Sequence, residues 1–226
     1  MTTTYSVVVI SAGLSQPSST RLLADQLAQA TRRAAAAGGH RIEVTTIELR
    51  ELAHDITNNL LTGFPSGALQ SAIDAVSSAD AVIAVTPVFS ASYSGLFKTF
   101  FDVLDRQALA GTPVLMAATG GSARHSLVLD YALRPLFSYL KASPVPTGVF
   151  AATADFGSDD AGQSLAERVE RAGRELAAML APRAGRVVVE DQTDLGPAPA
   201  ARNLCRSVRE PDPFDALVPF EELLAH

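Results

Sequence analysis

A single cysteine, Cys205, stands in the whole chain, so no disulfide can close within it, and four histidines leave too few ligands for a Cys-based zinc site. A reducing compartment suits such a sequence. Tryptophan is absent, and 18 lysines and arginines are scattered among 24 acids for a net charge of -6. No basic stripe is present to track a phosphate backbone, so nucleic acid is not expected as a partner. The opening MTTTYSVVVISAG has no basic leader, and its apolar run from Val7 to Ile10 is far too short to cross a bilayer. A cytoplasmic protein with no membrane partner is the expectation.

What is present is enough apolar residue for a full core: 47% of 226 residues. Tyr5 to Ile10 is a short, valine-rich run of the kind a strand buried on both faces requires. A loop rich in hydroxyls follows, from Ser11 through Ser18, Ser19 and Thr20, and Leu23, Leu27, Ala30 and Ala34 then recur at helical spacing. Such a loop sets free N–H groups and hydroxyls at the positive end of a helix, where a phosphate monoester is held without a lysine; Ser18 or Ser19 equally suits a plain helix cap. The loop has neither a GxGxxG fingerprint nor a Walker A motif, which argues against a dinucleotide-type Rossmann site and against an NTPase.

Gly38-Gly39 ends that helix, and Ile42, Val44 and Thr46 alternate as in an outer strand. Leu49 to Gly67 reads as an irregular loop, a plain connector or a cover for the ligand side of the sheet. Leu69, Ile73 and Val76 mark a short helix before a strand from Ala81 to Thr86, which Pro87 should end. Beyond it Ser90, Ser92, Tyr93 and Ser94 precede Gly95, and Phe97, Phe100, Phe101 and Leu104 share one helical face, as core or as a subunit interface. Lys98 and Asp102, four apart, predict a solvated ion pair. Pro113 to Thr119 is a fourth strand, followed by Gly120, Gly121 and Ser122. A helix bearing Leu129, Leu133, Leu136 and Leu140 should be split by Pro135 near Arg134. Val145 to Ala151 is a fifth strand, and Leu165, Val169, Ala172, Leu176 and Met179 mark a closing helix. One domain over 1–182 is expected, with a proline-punctuated extension over 183–226 that packs on the domain or on a neighbouring subunit.

Strands alternating with helices imply an α/β fold, a doubly wound parallel sheet with helices on both faces. A strand order of 2-1-3-4-5 sets the loops after strands one and three side by side at the switch point, where such sheets bind ligands. Those are the two hydroxyl-rich loops.

Three segments, SAGLSQPSSTRLL, TPVFSASYSGLFKTFFD and ATGGSARHSL, each after a strand, together resemble the NAD(P)H-dependent FMN reductase family, flavodoxin-like in fold. The resemblance spans roughly residues 5 to 180 and is nearest to members that supply reduced flavin to two-component monooxygenases. It implies FMN as cofactor, NADPH or NADH as reductant, a flavin-dependent monooxygenase as partner, and a homodimer or homotetramer. By position, Ser11, Ser18, Ser19 and Thr20 would hold the FMN phosphate. Pro87, Val88, Phe89 and Ser90, with Tyr93, Ser94 and Gly95, would line the isoalloxazine and ribityl group, and Thr119, Gly120, Gly121 and Ser122 its other side. Apart from the resemblance, Arg124 and His125 sit beside the Gly-Gly loop, where they could contact the phosphate of the nicotinamide nucleotide or of a second flavin, or stand as ordinary surface residues. Relatives often carry an arginine in the first loop; this chain has Leu14 and no cation before Arg21. Hydride passes between the cofactors, so no catalytic side chain and no metal is expected. A quinone or azo-compound reductase and a flavodoxin-like electron carrier are the competing readings.

Overall fold

Valine, isoleucine, leucine and alanine fill the inner strands of a parallel sheet, and their alternation divides the core into two layers. The structure is a computed structural model that describes residues 3–157 and 159–180, with 159–163 by backbone alone. The chain divides into two units, Met1–Arg186 and Val187–His226. All described residues belong to the first, and the expected extension over 183–226 lies outside them.

The strands are β1 (Thr4–Ser11), β2 (Arg41–Glu48), β3 (Ala81–Phe89), β4 (Ser92–Tyr93), β5 (Pro113–Gly120), β6 (Ser143–Pro144) and β7 (Val149–Ala152). They run in the order β2-β1-β3-β5, with β6 and β7 both paired in parallel to the far side of β5. This is the predicted 2-1-3-4-5 arrangement of the flavodoxin-like fold. The count is seven because β4 is a short antiparallel return on β3 and the fifth position is built from two pieces. Pro144 and Pro146 interrupt that position, since neither has an N–H to donate to a ladder.

Odd-numbered residues of β1 (Val7, Val9) join Ile83, Leu115 and Ala117 beneath α1 (Ser19–Ala37) and α6 (Asp159–Leu180). Val8 and Ile10 join Val82, Ala84, Val114 and Met116 on the other face. That face packs on α2 (Ala53–Thr62), α3 (Gly67–Ser78), α4 (Gly95–Asp102) and α5 (Arg134–Tyr139). The helices α1 and α6 cross so closely that a Cβ on Gly173 would stand 2.8 Å from the backbone of Ala30 and Thr31, which is why glycine occupies the crossing. Among the described residues, no helix is long and apolar enough to cross a membrane.

Three expectations are corrected. Leu49 to Gly67 is not a loop: a 3-10 turn over Leu49–Leu52 leads into α2, whose Ile56 and Asn59 are buried against the α4 side. Its polar, weak helix formers hid a stripe of Leu49, Leu52 and Ile56 that tertiary packing makes helical. Pro87 does not end β3; it stays in register with Thr119, and the strand runs on to Phe89 because β4 folds back to pair Val88 with Tyr93 and Phe89 with Ser92. The fifth strand does not run unbroken from Val145 to Ala151. Pro135 does divide its helix as expected, a π turn over Leu129–Leu133 ending where the Arg134 N–H bonds the Leu129 carbonyl. The phenylalanines of α4 are core, and Lys98 pairs with Asp102 at the surface.

Candidate active site

The first loop leaves β1 at buried Ser11, and the Ala12 N–H bonds the Val85 carbonyl at 3.0 Å, which holds it to β3. Its return is shaped by contact: Gly13 lies under Ser18, whose hydroxyl accepts from the Arg21 N–H at 3.2 Å and caps α1. The N–H groups of Ser19 and Thr20 in the first turn have no acceptor among the described residues. They sit at the positive end of a 19-residue helix, where an anion is favoured. The buried Thr20 hydroxyl also meets the buried Thr119 hydroxyl at 2.8 Å, joining the first loop to the loop after β5. One proton suffices for that bond, so the second is left to be offered elsewhere.

The loop after β3 turns at Ser90 and Ala91, both at positive φ (49° and 66°), as a two-residue hairpin requires. That geometry leaves Phe89 half exposed and sets Tyr93 on Phe97 with ring centroids 5.9 Å apart. Ser94 is buried; its N–H bonds the Thr86 hydroxyl at 3.0 Å and its own hydroxyl caps α4 through the Phe97 N–H at 3.2 Å. After β5, Ser122 caps the short turn Ala123–His125 through the Arg124 N–H at 3.3 Å.

A cavity of about 790 Å³ opens over the C-terminal ends of β1, β3, β5 and β7. Ser18, Ser19, Thr20, Pro87, Val88, Phe89, Thr119, Gly120 and Gly121 share its wall, so the three predicted loops converge on one space. Ser11, Ser90, Tyr93, Ser94, Gly95 and Ser122 lie behind or beside it, as caps, hairpin tip and support. Arg124 and His125 are exposed and off the wall, beyond Gly121. Sequence reasoning missed Leu14, Ser15, Pro17 and Leu22 on the first-loop side and Ala151, Thr153 and Phe156 on the other, which complete the wall. The signal was available for the last three: the loop after the fifth strand also lies at the carboxyl end of the sheet.

The nearest cation in sequence, Arg21, faces away from ligand duty. Its Nε bonds both Asp25 oxygens at 2.9 and 3.1 Å, and its Nη1 meets Glu48. The hydrogen bond to Asp25, and after it the charges of Asp25 and Glu48, push its pKa above the ordinary arginine value. The pairing also fixes the first turn of α1 against the end of β2.

Residues 5–157 match the model of the NADPH-dependent FMN reductase family. The chain belongs to that family. An FMN reductase (NADPH) of Pseudomonas aeruginosa is 41% identical over 156 residues, 69% of this chain and 81% of the relative. The NADH-dependent FMN reductase SfnE of Pseudomonas putida is 42% identical over 155 residues, again 69% and 81%. A solved oxidoreductase of Corynebacterium diphtheriae superposes with a TM-score of 0.77 at 51% identity, covering 79% of this chain and 98% of that one.

The reductase therefore takes FMN and a nicotinamide nucleotide, which decides against the electron-carrier reading. Its residues fit that cofactor: open amides at a helix terminus for the phosphate, and a largely apolar cavity within the range of about 300 to 1,000 Å³ usual for ligand pockets. FMN, when bound, supplies the hydride-accepting chemistry. The reductase's own part is to fix the loops, through the Ser18 cap, the Thr20–Thr119 bond and the Thr86–Ser94 bond.

Proposed function

We propose that the enzyme uses FMN as an exchangeable substrate, reduces it with NADH or NADPH, and releases it to a flavin-dependent monooxygenase. The supporting observation is the openness of the site: Leu14, Leu22 and Phe89 on its wall are each about half exposed (50%, 48% and 47%). Phe89, at the end of β3, is one of these half-exposed residues, which suits a ligand that comes and goes. The Ser19 and Thr20 amides hold the phosphate, and Pro87 to Phe89 with Gly120 and Gly121 flank the ring. On gel filtration the protein should lose its yellow colour, NAD(P)H oxidation should then need added FMN, and reduced FMN should cross a dialysis membrane under anaerobic conditions. Full turnover with flavin that never leaves the protein would exclude this role.

Arg124 and His125, beyond the Gly120-Gly121 turn, face the phosphates of the nicotinamide nucleotide in this proposal. Arg124→Ala should raise the KM for NADPH or NADH severalfold in the same assay; an unchanged KM for both removes Arg124 from the site. A homodimer or homotetramer in the cytoplasm is part of the proposal. Leu61, Phe64 and Tyr131, each about four-fifths exposed, are the apolar surface that assembly would cover. Light scattering that finds a monomer at micromolar concentration rejects assembly.

A further inference from the structure

The acidic balance at the first loop poses a problem for any phosphate. Arg21 stands between Asp25 and Glu48, so this cluster, at the helix end that faces the cavity, has one negative charge in excess. A phosphate monoester brings about −1.5 to −2 more at neutral pH. One further cation reaches the loop. Arg50, two residues beyond Glu48, extends its Nη1 to the carbonyl of Leu14 at 3.2 Å, and it has no carboxylate at ion-pair distance among the described residues.

We propose that Arg50 is a binding determinant for the phosphate of FMN, acting from outside the loops that line the cavity; this rests on the assignment of the first loop to the phosphate. Two physical effects act together. The guanidinium adds a positive charge at the first loop, so the helix-end amides of Ser19 and Thr20 face a less anionic surround. It also orients a peptide. A trans peptide points its C=O and N–H in opposite directions, so drawing the Leu14 carbonyl toward Arg50 turns the Ser15 N–H the other way. Ser15 lies on the cavity wall, and its N–H has no acceptor among the described residues. The 3-10 turn Leu49–Leu52, read in sequence as part of a connector, thereby contributes a residue to ligand choice.

The charge acts on the phosphate and not on the ring, which makes riboflavin, the same flavin without phosphate, the discriminating probe. Dissociation constants for FMN and riboflavin are measured by flavin fluorescence quenching on the full-length wild type, Arg50→Gln and Arg50→Lys, with melting temperatures as a check on folding. Arg50→Gln should weaken FMN by about tenfold, the scale of a charge-assisted contact, leave riboflavin within about twofold, and flatten the salt dependence of FMN binding; Arg50→Lys should restore part of the loss. Equal weakening of both flavins would make Arg50 a loop support only, and no change in either would remove it from the site; each overturns the proposal. If wild type itself binds FMN and riboflavin equally, the phosphate assignment fails instead, a result distinguishable from both.

Discussion

Gly13→Val is expected to leave a folded protein that has lost most of its affinity for FMN. A Cβ at residue 13 would lie 2.0 Å from the Ser18 hydroxyl oxygen and 3.1 Å from the Cβ atoms of Ser18 and Thr20. The first distance is impossible, so the loop must open or Ser18 must swing out. Either movement releases the Arg21 N–H from its cap and displaces the Ser19 and Thr20 amides. Overpacking of this kind costs about 1–3 kcal/mol and a lost N-cap about 1 kcal/mol, enough for a 100-fold rise in the FMN dissociation constant. Most of that loss should fall on the ligand, because Gly13 sits where the sheet ends and the strands beneath do not depend on it. Flavin fluorescence titration, with circular dichroism to confirm folding, measures it. A dissociation constant within threefold of wild type would show that the loop does not hold the ligand.

Phe97→Ala should produce the largest loss of stability. Phe97 is fully buried and forms the hub of an aromatic cluster, with ring centroids at 4.7 Å to Phe101, 5.9 Å to Tyr93 and 6.4 Å to Phe137. Truncation of such a side chain costs about 3–5 kcal/mol, partly as lost burial and partly as a cavity its rigid neighbours cannot close. For a domain of this size, that lowers the melting temperature by about 10 °C. Urea unfolding gives the free energy directly, and a midpoint close to wild type would mean that α4 is not anchored as described. A weaker second effect should appear in FMN binding, since Tyr93 rests on Phe97 and carries the β3–β4 hairpin.

The architecture was legible because buried parallel strands leave a strong mark: Val7 to Ile10, Ala81 to Val85 and Pro113 to Ala118 are apolar throughout, and their order with the helices determined the topology. The convergence of the Ser18, Pro87 and Gly120 loops followed from that topology. What stayed hidden was set by tertiary contact. A serine reads the same in sequence whether it binds a ligand or caps a helix, and only the bonds from the Phe97 and Arg124 N–H groups assign Ser94 and Ser122 to caps. In the same way, α2 is helical through packing rather than propensity, and Arg50 reaches the first loop from 36 residues away.

The divided fifth position of the sheet has a consequence for how copies of this protein can meet. An unbroken outer strand would present a row of free N–H and C=O groups, a template for further strands and for aggregation. Here Pro144 and Pro146 contribute no donors, the Pro146 carbonyl accepts from Arg134 at 3.3 Å, and Glu175 takes both the N–H and the hydroxyl of Thr147 at 2.7 Å. Between β6 and β7 the edge is thus partly occupied by side chains of its own fold. Strand addition is hindered on that side, whereas β2, eight residues long and unbroken, forms the opposite edge among the described residues and is where a further strand would pair.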